Sequence, residues 1–207
     1  MSGVPRPGKI VAVGRNYTEH AREMGGEVPE SPLLFLKPPS AVIADGEAIV
    51  LPPQSAQVEY EGELVAIVGS RLRHADAQSA VAAVRGYTCG NDVTARDLQR
   101  SDGQWTRAKG FDTFAPLGPA IVGNVDVSDL AIITRVNGAV RQQGRTRDLV
   151  RTVGDLLSHI SGIMTLEPGD AVFTGTPAGV GALHDGDVVE VEIQGVGVLR
   201  NPVKAAL

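Results

Sequence analysis

Hydrophobic positions along this chain recur mostly at a period of two, in short runs closed by glycine or proline, and only a few segments shift to the helical period. Lys9-Ile10-Val11-Ala12-Val13-Gly14 reads as a strand that stops at Gly14. Tyr17, His20, Ala21 and Met24 then stand at i, i+3, i+4 and i+7, with Asn16 placed to cap and Glu19 three residues later. This spacing predicts a short helix over Tyr17 to Met24, before Gly25-Gly26. His20 and Glu23 face each other on it, because helical residues three apart are neighbours. Leu33 to Leu36 and Val58 to Val68 read as strands, punctuated by Lys37-Pro38-Pro39 and Pro52-Pro53. His74 to Val84 reads as a helix with Ala77, Ala80, Val81 and Val84 on one face. Tyr87 to Cys89 reads as a strand leading through Asn91 to Asp97 into a short helix. The clearest helix spans Val153 to Met164, where Val153, Leu156, Leu157, Ile160 and Met164 form a stripe, Thr152 and Asp155 make a capping-box pattern, and Pro168-Gly169 lies beyond the end. Ala171 to Thr174 and Asp187 to Ile193 read as strands flanking the glycine-rich Gly175 to Gly181; in the second, Val189, Val191 and Ile193 alternate with Glu190 and Glu192. With no internal repeat and no linker-like shift in composition, the pattern predicts a single α+β domain over residues 1–207, dominated by mixed or antiparallel sheet.

Composition agrees with many turns and many strands. Among 207 residues, 43% hydrophobic and 21% charged, glycine (25) and proline (13) are abundant and aromatics are scarce at 4%. That excludes a disordered chain, and the glycine and proline content is high for a helical bundle. The formal charge is −5, and no lysine or arginine cluster forms a phosphate-tracking stripe, so nucleic acid is not an expected partner. Met1 to Gly8 contains no apolar leader, and the longest aliphatic run, Leu64 to Val68, is far shorter than the roughly 18 residues a membrane span needs. No membrane association is expected. A lone cysteine, Cys89, excludes an intrachain disulfide and any multi-thiolate metal site, which fits a reducing, cytoplasmic setting.

Gly-x-Ser-x-Gly, His-Glu-x-x-His and the phosphate-loop pattern are absent. Gly175-Thr176-Pro177-Ala178-Gly179-Val180-Gly181 lacks the lysine and hydroxyl of a phosphate loop and the third glycine of a dinucleotide fingerprint. Cys89, in an apolar strand without a basic neighbour, reads as a buried hydrophobe rather than a nucleophile.

The anomaly is Val58-Glu59-Tyr60-Glu61-Gly62-Glu63-Leu64-Val65-Ala66-Ile67-Val68. On one strand Glu59, Glu61 and Glu63 share a side that Val65 and Ile67 continue into apolar surroundings. Two carboxylates about 3 Å apart repel by roughly 5 kcal/mol at an effective dielectric of 20, so a buried pair must protonate, splay or hold a cation. A hard divalent ion with oxygen ligands, Mg2+ or Mn2+, is the economical answer, and a solvated edge strand with its acids outward is the alternative. Asp92 is a candidate third ligand if Arg96 and Asp97 pair locally. Its alternative is a helix N-cap.

Gly14-Arg15-Asn16-Tyr17 with His20 and Glu23, Phe35-Leu36-Lys37-Pro38, Glu61-Gly62-Glu63, Gly86-Tyr87-Thr88, Asn91 to Asp97 with Gln99, Trp105 to Gly110, and Pro168-Gly169-Asp170 with Thr174 to Pro177 follow one another in an order that resembles the fumarylacetoacetate hydrolase family, from about Lys9 to Val203. The resemblance implies a β-rich mixed β-sandwich roll with a few short helices, a homodimer, and a divalent metal, Mg2+ or Mn2+, on Glu61, Glu63 and Asp92. It implies a small-molecule 2-oxo or 2,4-dioxo acid as substrate. His20 and Glu23 match a pair on a short helix that closes over the site and activates water. Lys109 matches a lysine beside the reacting carbonyl, Gln99 and Thr176 match substrate-contacting positions, and Arg15 is assigned to the substrate carboxylate. Many members carry an N-terminal segment ahead of the first strand, which puts this chain with the short, core-only ones. Those include acylpyruvate hydrolases and oxaloacetate decarboxylases, the leading expectation. Asp102 to Lys109 looks more like isomerases and decarboxylases of 2-hydroxyhepta-2,4-diene-1,7-dioate, the alternative within enzymes. From another class stands a noncatalytic metal-binding homologue.

Overall fold

A computed structural model of the chain describes residues 4–206. Met1 to Gly3, the start of the stretch inspected for a leader, lie outside the described residues. In chain order the elements begin with β1 (Ile10–Gly14), α1 (Thr18–Glu23), β2 (Leu33–Lys37), β3 (Val42–Ile43), β4 (Ile49–Leu51), β5 (Val58–Tyr60) and β6 (Gly62–Val68). The middle comprises α2 (Ala77–Ala82), β7 (Val84–Asn91), β8 (Thr94–Ala95), α3 (Arg96–Asp102), α4 (Thr106–Lys109), β9 (Ala115–Val122), β10 (Ala131–Val136) and β11 (Ala139–Arg145). The chain closes with α5 (Val153–Ile163), β12 (Ala171–Phe173), β13 (Gly181–Ala182), β14 (Val188–Ile193) and β15 (Gly197–Ala205).

Three sheets result: β2-β1-β12-β6-β7-β9-β3, β11-β10-β14-β15-β4, and a small β13-β5-β8. β1 with β12, β15 with β4 and β3 with β9 run parallel and the other pairs antiparallel, the mixed α+β architecture expected from the pattern. The central strand β6 is buried along its whole length because apolar clusters cover both faces. Leu64, Ala66 and Val68 pack with Ile132, Val191 and Ile193 of the second sheet and with Val153, Leu157 and Ile160 of α5. Val65 and Ile67 pack on the other face with Ile10, Ala12 and Phe173. Continuous hydrophobicity in β6 and clean alternation in β14 are therefore two ways of meeting one core.

Several expectations need correction. Asn16 does not cap α1; Tyr17 stands at the cap, and the Asn16 side chain donates to the Thr174 and Arg151 carbonyls and accepts from Arg151 N–H, tying three loops together. The helix expected over His74 to Val84 shrinks to α2, capped by Asp76, because Val84 already enters β7; Val81 stays exposed. The strand expected over Val58 to Val68 breaks at Glu61, where the chain passes from the small sheet to the large one. The capping box of Thr152 and Asp155 is present in α5 as expected. Hairpin β10–β11 turns on Asn137-Gly138, both at positive φ, a turn that the strand periodicity alone did not suggest.

Candidate active site and metal centre

Adjacent strands β6 and β7 bring the acids together. Gly62 pairs with Asn91 and Glu63 with Gly90, so Asp92 follows the end of β7 across from Glu61, whose carbonyl accepts its N–H at 2.8 Å. Gly62 separates the two glutamates because the second sheet presses here: a Cβ would meet Thr134 Oγ1 at 2.1 Å. Glu61, Glu63 and Asp92 are all buried, and each offers an oxygen within 4.8 Å of the others. The solvated edge strand and the N-cap reading of Asp92 both fail; α3 begins after Ala95 without a side-chain cap.

Glu59 departs from the shared face. Its Oε2 accepts from Arg96 Nε at 2.7 Å, while Arg96 Nη2 donates to Glu61 Oε1 at 2.6 Å and Nη1 to Gln99 Oε1 at 2.6 Å. The expected Arg96–Asp97 pair does not form, since Asp97 accepts instead from Ser55 Oγ and the Ala56 N–H. Arg96 turns inward because two buried carboxylates offer more than one half-buried neighbour.

Two lysines reach Asp92, one to each carboxylate oxygen. Lys109 Nζ donates to Glu61 Oε2 at 2.9 Å and Asp92 Oδ2 at 2.6 Å, and lies 4.9 Å from the centre of the Phe35 ring. Lys37, which the sequence reading quoted but did not place in the site, donates to Asp92 Oδ1 at 2.5 Å and to the Val93 carbonyl. Its signal was the period of two in β2, which puts Phe35 and Lys37 on one face. Burial works against both ammonium groups, but Asp92 and Glu61 outweigh it for Lys109 and raise its pKa. Lys37, with one carboxylate and Lys109 close by, is lowered.

The two glutamates titrate in opposite directions. Burial opposes ionisation of both; Lys109 and Arg96 overcome it for Glu61, which is held well below the usual carboxylate range. Glu63 is pushed well above that range by burial, then by Asp92 and Glu61. Among the described residues it has no ion pair, and Oε2 accepts only the Gly175 N–H at 2.6 Å. A buried carboxylate facing two others without a cation of its own is what a hard divalent ion would complete. The oxygen-only donor set suits Mg2+ or Mn2+.

Glu61 and Glu63 line a cavity of about 220 Å³ that also meets Arg15, His20, Gln99, Lys109 and Thr176. Seven of the nine residues singled out from the sequence line it; Asp92 is joined to it through Lys109 and Glu23 through His20. His20 Nδ1 stands 3.2 Å from Glu23 Oε2, and the Glu23 carboxylate accepts from Gly179 N–H, so α1 is docked on the glycine-rich loop. That loop's amides at Gly175 and Gly179 serve the protein's own carboxylates rather than a phosphate. Thr176 Oγ1 donates to the Gly62 carbonyl and accepts from Gln142 Nε2, which leaves its hydroxyl proton committed. Gln142, fully buried and also bonded to Gly62 N–H, is a support the sequence reading missed. Cys89 is buried away from this chemistry, its thiol pushed up to about 12 by burial.

Comparisons with known proteins agree with this fold. The family described as fumarylacetoacetate (FAA) hydrolase C-terminal matches residues 9–204. A 2-hydroxyhepta-2,4-diene-1,7-dioate isomerase structure from Mycobacterium marinum is 48% identical, with a TM-score of 0.91 over 97% of this chain and 75% of that one. A fumarylpyruvate hydrolase from Pseudomonas aeruginosa, in complex with Mn2+ and pyruvate, is 38% identical, with a TM-score of 0.90 over 96% and 90%. Mitochondrial oxaloacetate tautomerase of Homo sapiens is 43% identical over 98% of this chain and 68% of its own. Among the described residues no helix is long and apolar enough to cross a membrane.

Proposed function

This chain belongs to the fumarylacetoacetate hydrolase family, and on that premise we propose that it is a single-domain, divalent-metal-dependent enzyme that cleaves acylpyruvate-type 2,4-dioxo acids and decarboxylates oxaloacetate. The observation that carries the reading is the buried triad Glu61, Glu63 and Asp92, two of whose acids line one cavity with His20, itself paired with Glu23. Mg2+ or Mn2+ held by the triad supplies, when bound, a Lewis acid for the charge of an enolate.

Arg15 binds the substrate 1-carboxylate. His20, oriented by Glu23, takes a proton from water, which attacks the distal carbonyl. Lys109 has a third N–H beyond its two carboxylate partners and directs positive charge to the developing oxyanion. As the carbon–carbon bond breaks, its electron pair passes to the pyruvyl carbon as an enolate, the water oxygen stays on the departing acid, and the proton on His20 returns to carbon. Gln99, whose Oε1 is held by Arg96, offers its amide N–H groups to substrate oxygens; Thr176 shapes the wall. For oxaloacetate, CO2 leaves without water and His20 serves only the final protonation.

A second reading rests on the same pair: a base and its partner can move a proton between carbon and oxygen without cleavage, as an isomerase or tautomerase does, the activities named for two of the relatives above. A panel of acetylpyruvate, fumarylpyruvate and oxaloacetate with Mg2+ and Mn2+ tests both. Acid release from the dioxo acids supports the hydrolase; keto–enol interconversion of oxaloacetate without acid or CO2 release favours the second reading. Turnover of none in either metal returns the chain to a noncatalytic binding role.

A further inference from the structure

The cavity has more positive charge at its mouth than its own acids neutralise. Deep inside, the carboxylates of Glu59, Glu61, Glu63 and Asp92 face the cations of Lys37, Arg96 and Lys109, and every one of these cations has a carboxylate partner. Arg96 spends three of its five N–H groups on Glu59, Glu61 and Gln99, and its charge is answered by the two carboxylates. Toward the opening stand two further guanidinium groups, Arg15 and Arg100, that also line the cavity. Neither has an ion pair among the described residues.

Arg15 is half-buried and held at φ 57, a conformation that is uncommon for a side-chain-bearing residue. Gly26 packs against its guanidinium, where a Cβ would approach Nη1 to 2.9 Å, so the chain after α1 closes around this side chain rather than leaving it in solvent. Arg100 lies on α3, exposed at the rim, and its one hydrogen bond runs from Nη2 to Gln57 Oε1 at 2.7 Å. Gln57 in turn donates to Glu59 Oε1 at 2.6 Å, which fixes the direction of Arg100 without neutralising it. The acids nearest in sequence are engaged elsewhere, Asp97 with Ser55 and Asp102 with Arg107.

We propose that Arg100 is a specificity residue that receives a second, distal carboxylate, so that the preferred substrates of this site are 2-oxo dicarboxylic acids rather than monocarboxylic acylpyruvates. The inference rests on the functional reading above and narrows its substrate class. Arg15 takes the carboxylate beside the oxo group, and Arg100 has N–H groups free for the far one in the bidentate geometry that guanidinium and carboxylate favour. A dianion with one charge at each end answers two cations that have no carboxylate partner among the described residues.

Calorimetric binding of acid pairs matched in length tests this without turnover: 2-oxoglutarate against 2-oxopentanoate and 2-oxoadipate against 2-oxohexanoate, each with saturating Mn2+. For at least one length, the dicarboxylate should bind the unmodified protein about 10-fold to 100-fold more tightly, the value of a charge-assisted bidentate contact. Arg100→Met should reduce that ratio to about 2 or less, and Arg100→Lys should keep part of it. Equal affinities within both pairs, or a ratio unchanged in Arg100→Met, would overturn the inference while leaving the 2-oxo acid reading standing. Binding of none of the four acids would bring down that reading and the inference with it.

Discussion

Two strands of this molecule carry the same written pattern, glutamates alternating with apolar residues, and treat it in opposite ways. In β14, Val189, Val191 and Ile193 are buried while Glu190 and Glu192 reach the opposite, solvated face, where Arg200 and Arg135 lie beside them. In β5 and β6, Glu61 and Glu63 follow the face that Val65 and Ile67 continue, and both are buried. Alternation tells which residues share a face. Whether that face meets water depends on what packs over it, and between β14 and β6 it is β6 that has a core on each side. Acids buried there must be compensated, which is why Arg96, Lys37 and Lys109 converge on them.

The largest effect expected from that difference is on turnover. Glu63→Gln should lower kcat on acetylpyruvate or oxaloacetate by at least about 1,000-fold, since the Lewis acid contributes several kcal/mol. Glu190→Gln should leave steady-state kinetics within about twofold. A comparable loss in both would break the contrast between the strands.

His20→Ala separates the reaction types within the site. Without its general base, acetylpyruvate hydrolysis should slow by about 100-fold to 10,000-fold. Oxaloacetate decarboxylation, which needs no activated water, should keep much of its rate under saturating metal. Equal losses would place His20 in closure or binding, and undiminished hydrolysis would remove it from the mechanism.

Stability without metal should distinguish the two glutamates. Glu63 has a raised folded-state pKa, so the stability it contributes is full below its unfolded value, near 4.5, and is lost as pH rises through the folded value. Glu61 is depressed, so its contribution is present above about 4.5 and is lost as pH falls toward its folded value. At neutral pH, Glu63→Gln should therefore raise the Tm of metal-free protein, whereas Glu61→Gln should lower stability by about 1–3 kcal/mol through its lost charged hydrogen bonds. Urea titrations of both variants in chelator give the signs; two shifts of the same sign would contradict the assignment of partners.

How far the site was legible depended on sequence distance. The acid stripe, Asp92 and the His20–Glu23 pair could be read because each lies within a few residues of its own signal. Lys37 meets Asp92 across 55 residues and Gly175 meets Glu63 across 112, and nothing local to either announces the partner. Arg96 was misjudged for the converse reason: a neighbouring Asp97 offered a local pairing, and the buried Glu59 and Glu61 prevailed. Among the strands, β9 contains Pro116, Gly118 and Pro119, which read as breakers, yet it forms because its partner β7 accepts an irregular register there. Asn137-Gly138 was a legible hairpin signal that strand periodicity does not include.

The smallest effect concerns α1. Gly25-Gly26 follows it, and only His20 and Ala21 within it are buried, so amide protection over Thr18–Glu23 should rise modestly with oxalate and Mn2+. Equal protection with and without them would argue that the helix is no lid.

The central claim is that the buried acids of β6 and β7 form a divalent-cation site, and Mn2+ titration by calorimetry tests it most directly. One ion should bind the unmodified protein and the Glu190→Gln, Glu192→Gln variant alike, with binding lost in Glu61→Gln, Glu63→Gln. Unchanged Mn2+ affinity in that last variant, with its fold verified by circular dichroism, would contradict the account.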